Sequence, residues 1–194
     1  MYMNQGNKKN KIAIIGHTRG IGKAIADLYQ KKKYEVIGLS SSNGYDLQCS
    51  QVEIMEQLDD CPLVVINAYV GGGQMTLLKR IYGKYLFENK KVAVITSTSG
   101  TPIGEDEDLQ NPEYIDYCKN KKNLIGYIEE LQQELLNKPL SVYDVCPDVV
   151  DTDMTKGLWE DLPKLKAVEV AEAVRYCFES TFNVNKIVMQ KNVS

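Results

Sequence analysis

The chain carries one histidine, one tryptophan and three phenylalanines in 194 residues. The lone histidine, His17, has no second ligand nearby in sequence, so no metal site is expected and it reads as a turn residue. Five cysteines (Cys49, Cys61, Cys118, Cys146, Cys177) are odd in number and form no C-x-x-C pair. That pattern speaks against a disulfide framework and reads as the reduced thiols of a cytoplasmic protein. No apolar run approaches the roughly 20 residues that span a bilayer. The polar opening MYMNQGNKKN does not look like a signal peptide. Neither charge sign is in excess: 23 basic against 26 acidic residues leave −3, which argues against nucleic acid or membrane as partner. Internal repeats and low-complexity tracts are also missing.

What is present is an alternation of short β-branched runs with longer helical stretches. Hydrophobic content of 43% with 25% charged residues is that of an ordinary globular protein. Residues 1–10 read as a flexible lead-in and 11–194 as a single domain. Strands are expected at 11–15 (KIAII), 34–39, 63–66, 92–96, 140–145 and 186–189. Helices are expected at 20–32, 51–58, 74–87 and 168–180, and from Asn111 as N-cap with Pro112 behind it to about residue 137, before Pro139. Gly104 to Leu109 (GEDEDL) reads as a solvated acidic loop. Such alternation predicts an α/β, Rossmann-like doubly wound parallel sheet with right-handed crossovers and helices on both faces.

The first strand runs directly into Gly16-His17-Thr18-Arg19-Gly20-Ile21-Gly22, and an amphipathic helix follows. Glycines there allow positive φ and a close approach of backbone to a pyrophosphate, and the helix N-terminus offers free N–H groups to the phosphates. The turn therefore predicts a dinucleotide site. A site for NAD(H) usually places a carboxylate about 20 residues further on, against the ribose hydroxyls. Here that region reads Val36-Ile37-Gly38-Leu39-Ser40-Ser41-Ser42, and the first carboxylate is Asp46. Arg19 with Ser40 and Ser41 would hold a 2′-phosphate, so NADP(H) is expected over NAD(H).

Tyr117 and Lys121 lie four apart on one helix face, where a lysine cation would favour the phenolate and lower a tyrosine pKa normally near ~10. Thr96-Ser97-Thr98-Ser99-Gly100 supplies hydroxyls at the end of a strand. In these residues the chain resembles the short-chain dehydrogenase/reductase family, of the small single-domain type. The matches occur in the family's order: the turn Gly16 to Gly22, Asn67-Ala68 after the third strand, Ser97 with Tyr117-x-x-x-Lys121, and the run Pro147 to Met154 containing Val150 and Thr152.

The resemblance implies a carbonyl reductase or alcohol dehydrogenase that moves hydride between nicotinamide and a small carbonyl or alcohol substrate. Tyr117 would be the proton donor, Ser97 would bind the substrate oxygen, and Lys121 would hold the nicotinamide ribose and tune Tyr117. Asn67 with Asp46 and Leu47 would line the adenosine side, and Thr152 would meet the nicotinamide amide or the pyrophosphate. Gly16, Thr18, Gly20, Ile21, Gly22, Ala68, Pro147 and Val150 complete the expected cofactor set, and a homodimer or homotetramer is the expected assembly.

The sequence also departs from the family. Little chain separates the second strand from Asp46, so an edge helix and strand are missing and the sheet should hold about six strands in the order 2-1-3-4-5-6. Tyr69 stands where a glycine is usual, narrowing the cofactor cleft, and Asp148 replaces the glycine after Pro147, placing a charge near the nicotinamide end. No asparagine matches the family's fourth catalytic residue; Gln74 is the nearest amide. Substrate should lie over Tyr117, between residues 99–103 and a short segment, 154–166, with Met154, Leu158 and Trp159 as lid candidates. Three other readings compete: a non-catalytic NADP(H)-binding sensor, a flavodoxin-like FMN carrier, which the three-glycine turn opposes, and a sugar-nucleotide epimerase, which would need a larger substrate domain.

Overall fold

Alternate residues of the central strands go to opposite helix layers, and this one pattern accounts for most of the core. In a computed structural model describing residues 10–100 and 111–192, β1 (Lys11–Ile15) sends Ile12 and Ile14 to one face and Ala13 and Ile15 to the other. The same division continues through β3 (Leu63–Ile66), β4 (Lys91–Ile95) and β5 (Ser141–Pro147). Apolar side chains on both faces explain why these segments read as runs without alternation.

With β2 (Glu35–Leu39) and β8 (Lys186–Met189), six parallel strands stand in the order β2-β1-β3-β4-β5-β8. The six-stranded order read from the sequence is therefore borne out, its last strand being β8 because a small pair, β6 (Val150–Asp151) and β7 (Leu165–Lys166), comes before it. Two-residue strands carry no periodicity, which is why sequence reading passed over them. They tie together both ends of the segment expected as a lid.

Helices α1 (Gly20–Lys31) and α5 (Ala167–Glu179) cover one face, where Ile25, Tyr29, Val174 and Phe178 pack together. On the other face lie α2 (Gln51–Gln57), α3 (Gly73–Tyr85) and α4 (Pro112–Glu134), with Leu77, Ile81, Leu124 and Ile128 inside. Asn111 caps α4 as expected, its side-chain oxygen accepting from the Glu113 and Tyr114 amides. The helix stops at Glu134, short of the expected 137, and Asn137 takes a positive φ of 66° before Pro139. Between β2 and Asp46 there is only a 3-10 turn, Ser41–Asn43, closed by Gly44 at φ 91°. β2 is thus a sheet edge, and the reduced edge is confirmed. The acidic loop and most of the N-terminal lead-in fall outside the described residues.

Candidate active site

Strand order reverses between β1 and β3, and in open parallel sheets the carboxyl edge beside such a point is where ligands bind. Gly16 and Asn67 follow β1 and β3 directly, Ser97 lies two residues past the end of β4, and Pro147 ends β5, so all four stand on that edge.

The glycine turn is shaped by contacts that leave no room for a side chain. Gly16 has φ 88°, and a Cβ there would sit 2.7 Å from the Ala68 amide nitrogen. A Cβ on Gly22 would come within 1.9 Å of the Gly16 carbonyl oxygen, while Gly20, at φ 53°, faces Thr152 Cγ2 at 3.2 Å. The Asn67 side chain closes the turn by donating from Nδ2 to the Gly16 carbonyl at 2.9 Å. Arg19, the N-cap of α1, offers no side-chain cap, and the first turn holds no acidic residue. Free N–H groups in a glycine cradle fit a pyrophosphate.

The remaining residues expected at the cofactor divide into exposed and engaged. Thr18, Arg19 and Ser41 are exposed. Ser40 is buried, its hydroxyl within 2.8 Å of Ser42 Oγ and 3.1 Å from Asn43 Oδ1. Asp46 accepts from the Gln48 and Cys49 amides, and Leu47 is a core side chain packed beneath Gly73. The His17 ring occupies the space over Gly38, where a Cβ would be 2.3 Å from its Cδ2. A cavity of about 330 Å³ lies next to this region between α2 and the start of α3, bordered by Gln48, Gln51, Val70 and Arg80.

At the other end of the edge, Gly100 lets the turn after β4 press onto α4: a Cβ there would be 2.7 Å from the Lys121 carbonyl carbon. This approach brings Ser97 near enough to Tyr117 to act on its phenol. The expected lowering of the tyrosine pKa by Lys121 is not what the structure gives. Burial pushes the Tyr117 phenol up to about 12, and Ser97 is the neighbour that lowers it. Lys121 is itself deeply buried, and desolvation pushes its amine down to about 7 against the raising influence of Asp144.

Lys121 Nζ donates to Gln74 Oε1 at 2.8 Å and to the Ile95 carbonyl at 2.9 Å. Tyr69 is engaged with α4. Its ring meets Tyr117 edge-on at 4.8 Å, and its hydroxyl accepts from Asn120 Nδ2 at 3.3 Å. Asp148 is held by the Thr98 hydroxyl at 3.0 Å.

Sequence reading did not single out Tyr114, although it lies three residues before Tyr117 on the same helix face. Its ring stacks near Tyr117 at 6.3 Å and meets Trp159 at 6.0 Å, and its hydroxyl is 3.3 Å from Ser99 Oγ. Trp159, at φ 50°, thus turns its ring toward the site. Asp144 was missed as well. It is a buried carboxylate in an otherwise apolar strand, receiving the Thr96 hydroxyl at 2.5 Å and lying 3.4 Å from Lys186 Nζ. That single charge in LSVYDV was the available signal.

Sheet order, glycine turn and crevice together define a Rossmann-type dinucleotide-binding protein. No family model matches the chain. It is 25% identical to carbonyl reductase family member 4 of Xenopus laevis, over 91% of this chain and 94% of that protein. It is 27% identical to the 3-oxoacyl-[acyl-carrier-protein] reductase FabG of Vibrio harveyi, over 80% of each. A short-chain dehydrogenase from Burkholderia cenocepacia J2315 in complex with NADP superposes with a TM-score of 0.76 at 14% identity, over 94% of this chain and 89% of that one. The 3-alpha-hydroxysteroid dehydrogenase from Pseudomonas sp. B-0831 complexed with NADH gives 0.74 at 17% identity, over 92% and 95%. By sequence similarity and by fold the proteins it resembles are short-chain dehydrogenase/reductases, oxidoreductases by class.

Proposed function

We propose that the chain is an NADP(H)-dependent carbonyl reductase, and that Ser97, Tyr117 and Lys121 are its catalytic residues. The observation that carries this reading is Tyr117 on the carboxyl edge that bears the glycine turn, with the buried Lys121 amine 5.5 Å from its ring centroid and Ser97 bearing on its phenol. When bound, the nicotinamide supplies or accepts the hydride. A phenol that keeps its proton at neutral pH suits the reductive direction, in which it donates that proton to a carbonyl oxygen. Ser97 binds and orients that oxygen. The Tyr69 and Tyr114 rings pack against Tyr117, and Trp159 against Tyr114, and screening the phenol from water strengthens each hydrogen bond made there.

Arg19 and Ser41, both exposed, would take the 2′-phosphate, and the absence of a carboxylate between Gly38 and Tyr45 removes the repulsion that disfavours it. Because related folds are seen with NADH as well as with NADP, the preference rests on these residues alone. The substrate is a small carbonyl compound, the protein cytoplasmic, and the assembly a homodimer or homotetramer.

A second reading, a non-catalytic NADP(H) sensor, draws support from the aromatic cover over Tyr117. NADPH oxidation against small aldehydes, ketones and quinones, run beside Tyr117→Phe, separates the two. Turnover that falls at least 100-fold in the variant while NADPH binding persists is the expected result. Tight NADPH binding without turnover on any compound would favour the sensor, and undiminished activity in Tyr117→Phe would refute the assigned roles.

A further inference from the structure

The amide of Gln74 has no freedom of its own. The side chain is 2% exposed, and its Nε2 donates to the carbonyls that close β3 and β4, Ile66 and Ile95, both at 3.2 Å. Carbonyl oxygens only accept, so the nitrogen must face them and Oε1 must face the Lys121 amine. Gly73, just before it, lets the helix start pack closely on Leu47: a Cβ would be 3.0 Å from Leu47 Cγ. Gln74 is the second residue of α3, and the helix start thereby reaches the strand ends.

We propose that Gln74 is the positioning residue of Lys121: with the Ile95 carbonyl it holds two amine protons and reserves the third for exchange on the Tyr117 side. A charged lysine has three N–H donors and a neutral one has two. The two acceptors at 2.8 and 2.9 Å are therefore satisfied in either state, and protonation alters only the third position. Nζ lies 5.5 Å from the ring centroids of both Tyr69 and Tyr117, the groups that flank that position. From β5, Asp144 and Cys146 also bear on the amine, and burial brings its titration close to neutrality.

Gln74 itself is neutral, so it stabilises both states. A carboxylate in its place would lock the lysine charged, and an apolar side chain would strip a buried amine of an acceptor. The consequence for turnover rests on the reading of Tyr117 as proton donor; the geometry at Lys121 does not.

The test follows the lysine directly. The full chain, labelled with 15N at lysine Nζ, is titrated by NMR without cofactor, with Lys121→Met assigning the resonance and thermal melting confirming that each variant folds. Gln74→Glu should raise the Lys121 midpoint by about one pH unit or more, and Gln74→Met should lower it. The midpoint of NADPH oxidation should move in the same directions, with KM for NADPH within about twofold. A Lys121 titration unmoved in both folded variants, or moved the same way in both, would overturn the proposal. Should one variant not fold, the other's direction alone decides. Failure of the reductase reading looks different: the lysine midpoint moves as expected while the unaltered chain reduces nothing.

Discussion

Replacing Gly22 by alanine sets two well-defined effects against each other. In an unobstructed helix the change would stabilise by about 0.5–1 kcal/mol, because alanine has fewer backbone states to lose on folding. Here the new methyl would stand 1.9 Å from the Gly16 carbonyl oxygen and 2.8 Å from Asn67 Nδ2. Carbon–oxygen contacts settle at roughly 3.3 Å, so helix and turn must part by more than about 1 Å. Overpacking of this kind costs about 1–3 kcal/mol, and straining the Asn67–Gly16 hydrogen bond adds about 1. The steric effect wins, by about 2 kcal/mol.

In a domain of this length such a loss lowers Tm by about 4–8 °C. Gly126→Ala on α4 is the matched control, since nothing lies within 4 Å of a Cβ there. It should be neutral or raise Tm by about 2 °C. Thermal melting, with NADPH fluorescence titration to follow the displaced turn, measures both. A Gly22→Ala protein that melts at or above the unaltered chain and binds NADPH equally well would refute the reasoning.

Two further outcomes are expected. Lys121 titrates near 7 in the fold against 10.5 for the free side chain, so between those values the unfolded chain binds the extra proton and stability rises with pH. Buried tyrosines and cysteines oppose this at the alkaline end, so the check is the difference between the unaltered chain and Lys121→Met in urea unfolding from pH 6 to 10. That difference should climb by up to about 1.4 kcal/mol per pH unit, and a flat difference would refute the buried, depressed amine. Arg19→Ala should leave Tm unchanged, because the exposed guanidinium has no ion pair among the described residues. It should weaken NADPH about 10- to 100-fold with little effect on NADH, the loss of one charge-assisted hydrogen bond. Equal losses for both cofactors would remove the case for a 2′-phosphate site.

Local signals served well where the chemistry was local. The runs at β1 and β3 were legible residue for residue, because strands buried on both faces must be continuously apolar; β8 was legible as a short β-branched run although it is a partly exposed edge strand. Asn111-Pro112 marked the start of α4 because capping involves neighbours in sequence. Strand ends were less legible: β5 continues through Pro147, past the expected end, since its pairing with Met189 on β8 is a property of the partner strand.

The candidate site divides along the same line. Glycines at 16, 20 and 22, and Tyr117 four residues before Lys121, are spacings within one turn or one helix, and they sufficed to expect a dinucleotide and a proton donor. What those residues experience was set by chain brought in from elsewhere. Asn67 locks the glycine turn from 51 residues away, Gln74 reaches Lys121 across 47, and Thr98 meets Asp148 across 50. Tyr69 and Tyr114 close over Tyr117, and burial there raises its pKa although the i, i+4 lysine pointed the other way. Sequence carries period, turn and cap because these depend on a few adjacent dihedrals. Desolvation and long-range hydrogen bonds depend on which surfaces meet, and only the packed sheet with its two helix layers brings those surfaces together.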